Sequence, residues 1–190
     1  MPLKKLPNYC ADATVAKTEL DNIMNSITSQ VGGTPSSRLK DPARAREKID
    51  LDPDPDANYS WLTDLAGGRI VYDNLDDFYD ALDNVVGNYQ VARLNERVVM
   101  PLPTGFRDVL MNLRMSNGHV VELQISLKEM IEASDGPGHT WYEEWRTLNG
   151  IVQSQQGGVA TAAQAAELEN LMTQMQNLYN GAYQQILSRQ

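Results

Sequence analysis

The chain contains very little cysteine and histidine. Among its 190 residues there is one cysteine, Cys10, and there are two histidines, His119 and His139. A single thiol excludes an internal disulfide and a cysteine-based metal site. Two imidazoles are too few for a zinc centre unless carboxylates complete it. A metal site in this chain therefore needs carboxylate ligands.

Long apolar runs are also lacking. No run approaches the roughly 20 residues that a membrane-spanning helix needs. The apolar part of the segment 1–7 is too short for a secretory signal, so we expect no signal peptide and no membrane contact. Hydrophobic residues make up 42% of the chain, which predicts one globular domain over residues 1–190.

The chain lacks a basic excess, since its formal net charge is −9. Such a charge argues against general affinity for nucleic acid, which needs a basic face to displace counterions. Five of the 16 Lys and Arg residues nevertheless cluster between positions 38 and 48. These five are Arg38, Lys40, Arg44, Arg46 and Lys48. A basic patch on an acidic chain suits a small polyanion such as a nucleoside triphosphate. Taken alone, a solvated basic face explains the cluster better.

Hydrophobic periodicity predicts an α+β fold with a mixed, mostly antiparallel central sheet flanked by helices. The predicted helices span residues 11–29, 41–50, 76–86, 127–134, 139–149 and 159–188. The predicted extended segments span 62–72, 90–100 and a hairpin that begins at 109. The segment 32–35 is predicted to break the chain after the first helix, and 52–55 to form a loop.

The hairpin has the clearest pattern, because apolar residues alternate on both of its strands. A three-residue loop with Gly118 in the left-handed conformation keeps the two apolar sets on one face. That register places Asn112 opposite Glu122 and Leu110 opposite Gln124. Glu122 then lies on a partly polar face, where a site can form.

Two carboxylates from different segments are candidates for magnesium-assisted phosphoryl transfer. Asp64 precedes a glycine pair and Arg69, an arrangement suited to a metal-bound triphosphate. Glu122 follows on the hairpin. Each has a simpler explanation: Asp64 caps a turn before a buried strand, and Glu122 pairs with Arg114 across the hairpin.

The order and spacing of these segments resemble the synthetase domain of RelA/SpoT-type alarmone enzymes. That family carries Arg-x-Lys, a further lysine on a basic helix, Asp-x-x-Gly-x-Arg, a Gly-Tyr loop and Glu-x-Gln. The matching segments here are Arg38-Leu39-Lys40, Lys48, Asp64 to Arg69, Gly105-Phe106 and Glu122-Leu123-Gln124. The helix after Gly138 is similar to the family's His-x-x-Tyr-Glu helix. The resemblance covers a core of about residues 36–150.

The resemblance implies a role for each position. The residues implied to bind ATP are Arg38, Lys40, Lys48 and Arg69. Arg44, where the family usually has serine, is predicted to join them because it shares a helix face with Lys48, four residues later. Asp64 and Glu122 are implied to bind Mg²⁺ and to be catalytic, with Glu122 assisting deprotonation of the acceptor hydroxyl. The residues implied to bind the acceptor are Phe106, Arg107, Asn112 and Gln124.

The acceptor side departs from the family pattern. Leu102, Thr104, Phe106, Asp108 and Leu110 stand where the guanine-binding loop carries lysine, asparagine, tyrosine, serine and histidine. An aromatic platform remains for stacking, but most polar groups that would read a guanine edge are lost. The loop is similar to a divergent branch found in bacterial polymorphic toxins, whose members resemble enzymes making adenosine alarmones, (p)ppApp.

The predicted function is therefore Mg²⁺-dependent transfer of pyrophosphate from ATP to the ribose 3′-hydroxyl of an adenine nucleotide, as a toxin domain. The alternatives are a small synthetase making (p)ppGpp from GDP or GTP, a tRNA-modifying enzyme and a catalytically repurposed relative. We expect action in the bacterial cytoplasm after delivery by a secretion system. An inhibitor or immunity protein is the expected restraint on a synthetase that lacks a hydrolase domain.

Overall fold

The computed structural model describes residues 6–50, 58–155 and 157–189. The loop predicted at 52–55 lies outside the described residues. Contacts group the chain into two compact units. The first unit comprises Met1–Tyr72, Asp76–Asn95 and Val109–Ile125. The second unit comprises Asp73–Leu75, Glu96–Asp108 and Ser126–Gln190. The single-domain assignment stays a prediction.

The six predicted helices are present, three of them longer than predicted and three slightly shorter. They are α1 (Leu6–Val31), α2 (Pro42–Asp50), α3 (Leu75–Asn88), α4 (Lys128–Ala133), α5 (His139–Ser154) and α6 (Ala162–Leu187). A 3₁₀ turn spans Tyr59–Trp61, and a π-helical turn spans Ser134–Gly138. The α6 helix begins with a capping box, in which Thr161 and Gln164 satisfy each other's backbone N–H groups.

Five strands form one sheet in the order β1-β2-β5-β4-β3. They are β1 (Thr34–Leu39), β2 (Ala66–Tyr72), β3 (Val91–Glu96), β4 (Asp108–Arg114) and β5 (Val120–Leu127). β1 runs antiparallel to β2. The β2 residues Gly67 and Arg69 lie beside Glu122 and Gln124 of β5, so these two strands run parallel. The sheet is mixed, and the predicted α+β fold class is confirmed.

The edge strand β1 was not predicted. The sequence pattern indicated only a break at 32–35, because glycine and proline dominate there. Gly32 and Gly33 do turn the chain, with φ of 85° and 92°. Pro35 is compatible with β1 because an edge strand leaves one row of N–H groups without a ladder partner. The strand predicted to start at 62 starts instead at Ala66, after the 3₁₀ turn.

The hairpin has the predicted loop. Gly118 has φ of 80°, and the Met115 N–H donates to the His119 carbonyl across a three-residue loop at 2.9 Å. Continued along the strands, this pairing gives the predicted register. The apolar faces of β4 and β5 are buried at Val109, Met111, Leu113, Val121, Leu123 and Ile125.

Helix α1 packs on β1 and β2. Its buried stripe includes Leu20 and Met24, which lie against Gly68 of β2. The Ser37 hydroxyl donates to the Asp21 carboxylate of α1 at 2.5 Å. The alternate residues of β1 and β2, including Arg38 and Arg69, therefore point to the opposite face of the sheet.

Candidate active site

One face of β1, β2 and β5 carries a polar pocket. The paired residues Arg38 and Gly67, and Ser36 and Arg69, bring two arginines to neighbouring strands. The cavity has a volume of about 310 Å³. Its lining consists of Ser36, Ser37, Arg38, Gly67, Gly68, Arg69, Glu122 and Gln124. This is the face on which a site was predicted around Glu122.

Asp64 lies in the turn just before β2 and is bound by two lysines from distant parts of the chain. Lys40 donates to its Oδ2 at 2.6 Å, and Lys48 donates to the same atom at 3.1 Å. Lys40 follows β1, and Lys48 lies in the last turn of α2. Lys40 and Lys48, both implied to bind ATP, thus converge on Asp64 as their common partner.

The two lysines set the ionisation of Asp64. Burial raises its pKa, but the hydrogen bonds and charges of Lys40 and Lys48 outweigh burial and hold the pKa below its ordinary value. Oδ1 of the same carboxylate is buried and has no hydrogen-bond partner among the described residues. An ionised carboxylate with one unpaired oxygen suits a cation ligand.

Glu122 has the opposite electrostatic response. Burial and the nearby Asp64 charge raise its pKa, and the charges of Arg38, Lys48 and Lys40 only partly offset them. The predicted alternative was a pair with Arg114, yet the Arg114 guanidinium donates to the Gly118 carbonyl at 3.4 Å. Glu122 thus shares its electrostatic environment with Asp64 and the basic cluster.

The described residues contain no group of three or more His, Cys, Asp or Glu side chains that could hold a metal. Mg²⁺ commonly binds through one or two carboxylates, several waters and substrate phosphates. The pair Asp64 and Glu122, with the free Oδ1 of Asp64, therefore fits a magnesium ion that arrives with a nucleotide.

Arg69 and Gln124 are joined directly. The Arg69 Nε donates to the Gln124 Oε1 at 2.7 Å, which fixes the arginine side chain over the sheet. Gln124, predicted to bind the acceptor, thus contacts Arg69, which is predicted to bind ATP. Asn112, half-buried on β4, occupies the position opposite Glu122 that the hairpin register gives.

Arg44 is not brought to the pocket lining. Its side chain is 77% exposed and forms an ion pair with Glu47 at 3.6 Å on its own helix. The sequence placed it with Lys48 because residues four apart share a helix face. Lys48 reaches Asp64 from this helix face, whereas the Arg44 side chain, one turn earlier, lies in solvent.

The remaining predicted acceptor residues lie in the second unit. Phe106 packs edge-to-face on Tyr179, with ring centroids 5.2 Å apart. The Arg107 guanidinium lies 4.1 Å from the centre of the Tyr183 ring and donates to the Val98 carbonyl. Both side chains are half-buried.

Asp108, which replaces a family serine, has a structural use. It is fully buried and forms a two-pronged ion pair with Arg97, at 2.5 Å to Nε and 2.6 Å to Nη2. Arg97 was missed by sequence reasoning, as was Ser36. Ser36 could have been found from its position two residues before Arg38, because alternate residues of a strand lie on the same face.

The polar pocket holds one carboxylate and two arginines, and the lysine-bound Asp64 acts electrostatically on that carboxylate, Glu122. This arrangement on a mixed sheet suits a phosphorylated ligand. A family model described as a region found in RelA / SpoT proteins matches residues 37–146, more than half of the chain. The chain belongs to the RelA/SpoT family, a family of pyrophosphokinases.

Solved structures with the same fold include the type VI effector Tas1 in complex with its immunity protein. Tas1 is 20% identical, with 94% of this chain and 96% of that chain covered and a TM-score of 0.70. Small alarmone synthetase 1 from Bacillus subtilis is 17% identical, with 96% and 93% covered and a TM-score of 0.64. Small alarmone synthetase 2 from the same organism is 16% identical, with 98% and 96% covered and a TM-score of 0.62. No protein among the curated sequences matches this chain.

None of the helices within the described residues is both long and apolar enough to cross a membrane.

Proposed function

We propose that this chain is a Mg²⁺-dependent pyrophosphokinase that transfers pyrophosphate from ATP to the ribose 3′-hydroxyl of an adenine nucleotide, giving (p)ppApp. The observation that carries the proposal is the joint position of Asp64, bound by Lys40 and Lys48, and Glu122 in one electrostatic environment. Family membership supports the reaction class.

In the proposed reaction the acceptor 3′-oxygen forms a bond to the β-phosphorus of ATP. The bond from that phosphorus to the oxygen bridging the α- and β-phosphates breaks, and AMP leaves with that oxygen. Arg38, Arg69 and Lys48 neutralise the phosphate charge that accumulates. Asp64 and Glu122 would hold Mg²⁺, which would supply further neutralisation of phosphate charge.

Glu122 is proposed to receive the proton of the acceptor hydroxyl. Burial and the Asp64 charge raise its pKa, which makes it a stronger base than an exposed glutamate. Asp64, with its lowered pKa, remains an anion throughout and keeps Lys40 and Lys48 in place. In this proposal Glu122 accepts the proton, and Asp64 holds the lysines in position.

The adenine assignment rests on the loop 102–110, which lacks the polar residues of the family's guanine-binding loop. It is tested by incubating the purified chain with Mg²⁺ and ATP alone, and then with added GDP or GTP, and separating the products by anion exchange. New, more highly charged adenine species from ATP alone are expected. Products that form only with guanine nucleotides would contradict the adenine assignment.

The second candidate is a small alarmone synthetase making (p)ppGpp. One solved structure with this fold is small alarmone synthetase 1 bound to its product pppGpp, at 17% identity and a TM-score of 0.61. The toxin role is proposed from the divergent loop and from the fold shared with a type VI effector that binds an immunity protein. The proposed partner is accordingly an immunity protein, and the proposed place of action is the bacterial cytoplasm.

A further inference from the structure

The segment 97–107, here called the acceptor loop, is closed at its base by a buried ion pair. Arg97 and Asp108 pair through both side-chain and backbone groups, since the Arg97 N–H also donates to the Asp108 carbonyl at 2.9 Å. The tip of the loop is a tight turn in which the Gly105 N–H donates to the Leu102 carbonyl at 2.7 Å. The ends and tip of the loop are therefore fixed by its own contacts.

The tip of the loop and the residues that follow it also contact one face of α6. Gln176, Tyr179 and Tyr183 lie three and four residues apart, so they project from the same side of the helix. Gln176 donates to the Pro103 carbonyl at 2.9 Å. The ring of Tyr179 packs on Phe106, and the ring of Tyr183 lies under the Arg107 guanidinium. Three successive parts of the loop thus contact three residues of one helix face.

Tyr179 is itself fixed from the other side. Its side chain is 5% exposed, and its hydroxyl is hydrogen-bonded to Ser134 in the π-helical turn. A Cβ added at Gly138 would clash with that hydroxyl, so the glycine provides the space that the tyrosine occupies. Tyr179 of the α6 face is therefore packed on both sides, by Phe106 and by the π-helical turn.

Arg107 has little freedom in this arrangement. Its guanidinium is engaged by the Tyr183 ring and by the Val98 carbonyl of the same loop. These contacts tie the two sides of the loop to α6 through one cation. Arg107 therefore restricts the conformation of the loop.

We propose that Gln176, Tyr179 and Tyr183 are positioning residues that hold the acceptor loop in the shape that receives the acceptor nucleotide. The acceptor part of this inference rests on the proposed function, while the support of the loop by α6 does not. A loop that is already ordered loses less conformational entropy when the acceptor binds. The predicted consequence is an effect on the acceptor KM and not on the ATP KM.

The test compares Tyr183→Ala with Tyr183→Phe, since phenylalanine keeps the ring face that the guanidinium contacts. Asn177→Ala, at an exposed position of α6, controls for changes in the helix itself. Hydrogen exchange of peptides covering residues 97–107 is followed by mass spectrometry. Steady-state rates are measured with each substrate varied, and thermal unfolding confirms that each variant is folded.

Tyr183→Ala is expected to speed exchange in 97–107 about fivefold or more and to raise the acceptor KM about tenfold. Tyr183→Phe and Asn177→Ala should stay within about twofold of the wild type in both. Unchanged exchange in Tyr183→Ala would overturn the support by α6, and faster exchange with an unchanged acceptor KM would overturn the link to the acceptor. If the wild type forms no product, the proposed function fails, and the exchange result still decides whether α6 holds the loop.

Discussion

At the scale of single residues, Asp64 and Glu122 respond to a shared environment in opposite directions. Asp64 takes direct hydrogen bonds from Lys40 and Lys48, so its ionised form is favoured. For Glu122, burial and the Asp64 charge raise the pKa more than the surrounding cations lower it, so its ionised form is disfavoured. This difference suits a mechanism in which one carboxylate stays ionised and the other acts as a base.

Asp64→Asn is expected to lower both activity and stability. The amide keeps the side-chain shape but leaves the part-buried Lys40 without its carboxylate. We expect a loss of about 1–3 kcal/mol in the free energy of unfolding at pH 7 and a rate at least about 100-fold lower. Because the folded pKa of Asp64 lies below its ordinary value of 3.8, the stabilisation is present above that pH and is lost as pH falls.

Denaturant unfolding of wild type and Asp64→Asn, at pH 7 and again near pH 3, measures this stability difference. The difference should shrink at the lower pH. A difference of equal size at both pH values would show that the carboxylate charge does not matter.

Glu122→Gln is expected to separate stability from activity. The folded pKa of Glu122 lies above its ordinary value of 4.5, so its ionisation costs stability as pH rises above that value. Glutamine avoids this cost, and we expect the melting temperature at pH 7 to rise by roughly 1–3 °C. Activity should fall at least about 100-fold with the loss of the base.

Thermal scans of Glu122→Gln and wild type at pH 4 and pH 7 check the sign. The two proteins should melt together at the lower pH, where the wild-type side chain is protonated. A variant that is less stable than wild type at pH 7 would contradict the unfavourable ionisation of Glu122.

Sequence patterns predicted some of the residues that the structure brings together and missed others, for identifiable reasons. Asp64, Lys40 and Lys48 were predicted from their resemblance to the family motif, and the structure brings them together. Arg44 was grouped with them by helical spacing alone, which does not show whether a side chain reaches a turn 20 residues later. The Arg97–Asp108 pair requires that two strand ends meet, a tertiary fact that no local pattern contains.

At the scale of elements, the two glycines of β2 have different uses. Together they were predicted to belong to an arrangement suited to a metal-bound triphosphate. A Cβ at Gly67 would lie 3.9 Å from the nearest atom, the Glu122 carbonyl oxygen, in ordinary contact. A Cβ at Gly68 would lie 2.6 Å from Met24 Sδ and 3.2 Å from Leu20 Cδ2 on the α1 face. Gly68 therefore permits helix packing, whereas Gly67 leaves room on the pocket face.

Alanine substitutions at the two glycines should give opposite results. We expect Gly68→Ala to cost about 1–3 kcal/mol of stability, because α1 must shift from the sheet. Gly67→Ala should cost less than about 1 kcal/mol and should weaken ATP binding by narrowing the pocket. Denaturant unfolding and titration with a non-hydrolysable ATP analogue measure the two effects. If both variants lose stability equally, the assignment of the two faces is wrong.

Helix and strand predictions failed where tertiary contacts override local preference. β1 has few strand-forming residues, yet it pairs along β2 from Thr34 to Leu39. In α6, Leu168 and Leu178 continue the apolar pattern of the sequence, yet both are only half-buried. Tyr179 is buried in their place, since the acceptor loop and Ser134 supply partners for both its ring and its hydroxyl.

At the scale of the whole molecule, α6 is expected to be required for folding of the second unit. It packs on α4 and α5 through Leu171, Met175, Tyr179, Ala182 and Ile186, which are buried. A chain ending at residue 158 would expose the partners of this stripe. We expect it to bind a hydrophobic dye and to lose cooperative unfolding, as followed by near-ultraviolet circular dichroism. A truncated chain that unfolds cooperatively would contradict a packing role for α6.

The family was predictable because its phosphate-binding residues follow one another in a specific order along the chain. Base choice was not predictable to the same degree, because the acceptor loop has lost one set of polar groups without gaining a recognisable replacement. In the structure its residues Phe106 and Arg107 are held by α6, 70 or more residues later in the sequence. Contacts of this range lie beyond any local pattern.

The origin of the transferred group tests the central proposal most directly. The purified chain is incubated with Mg²⁺ and ATP labelled at either the β- or the γ-phosphate, and products are separated by anion exchange. A pyrophosphokinase moves both labels into the product and releases AMP in equal amount. Transfer of the γ-label alone, with ADP as the second product, would contradict pyrophosphate transfer and assign the site to a different reaction.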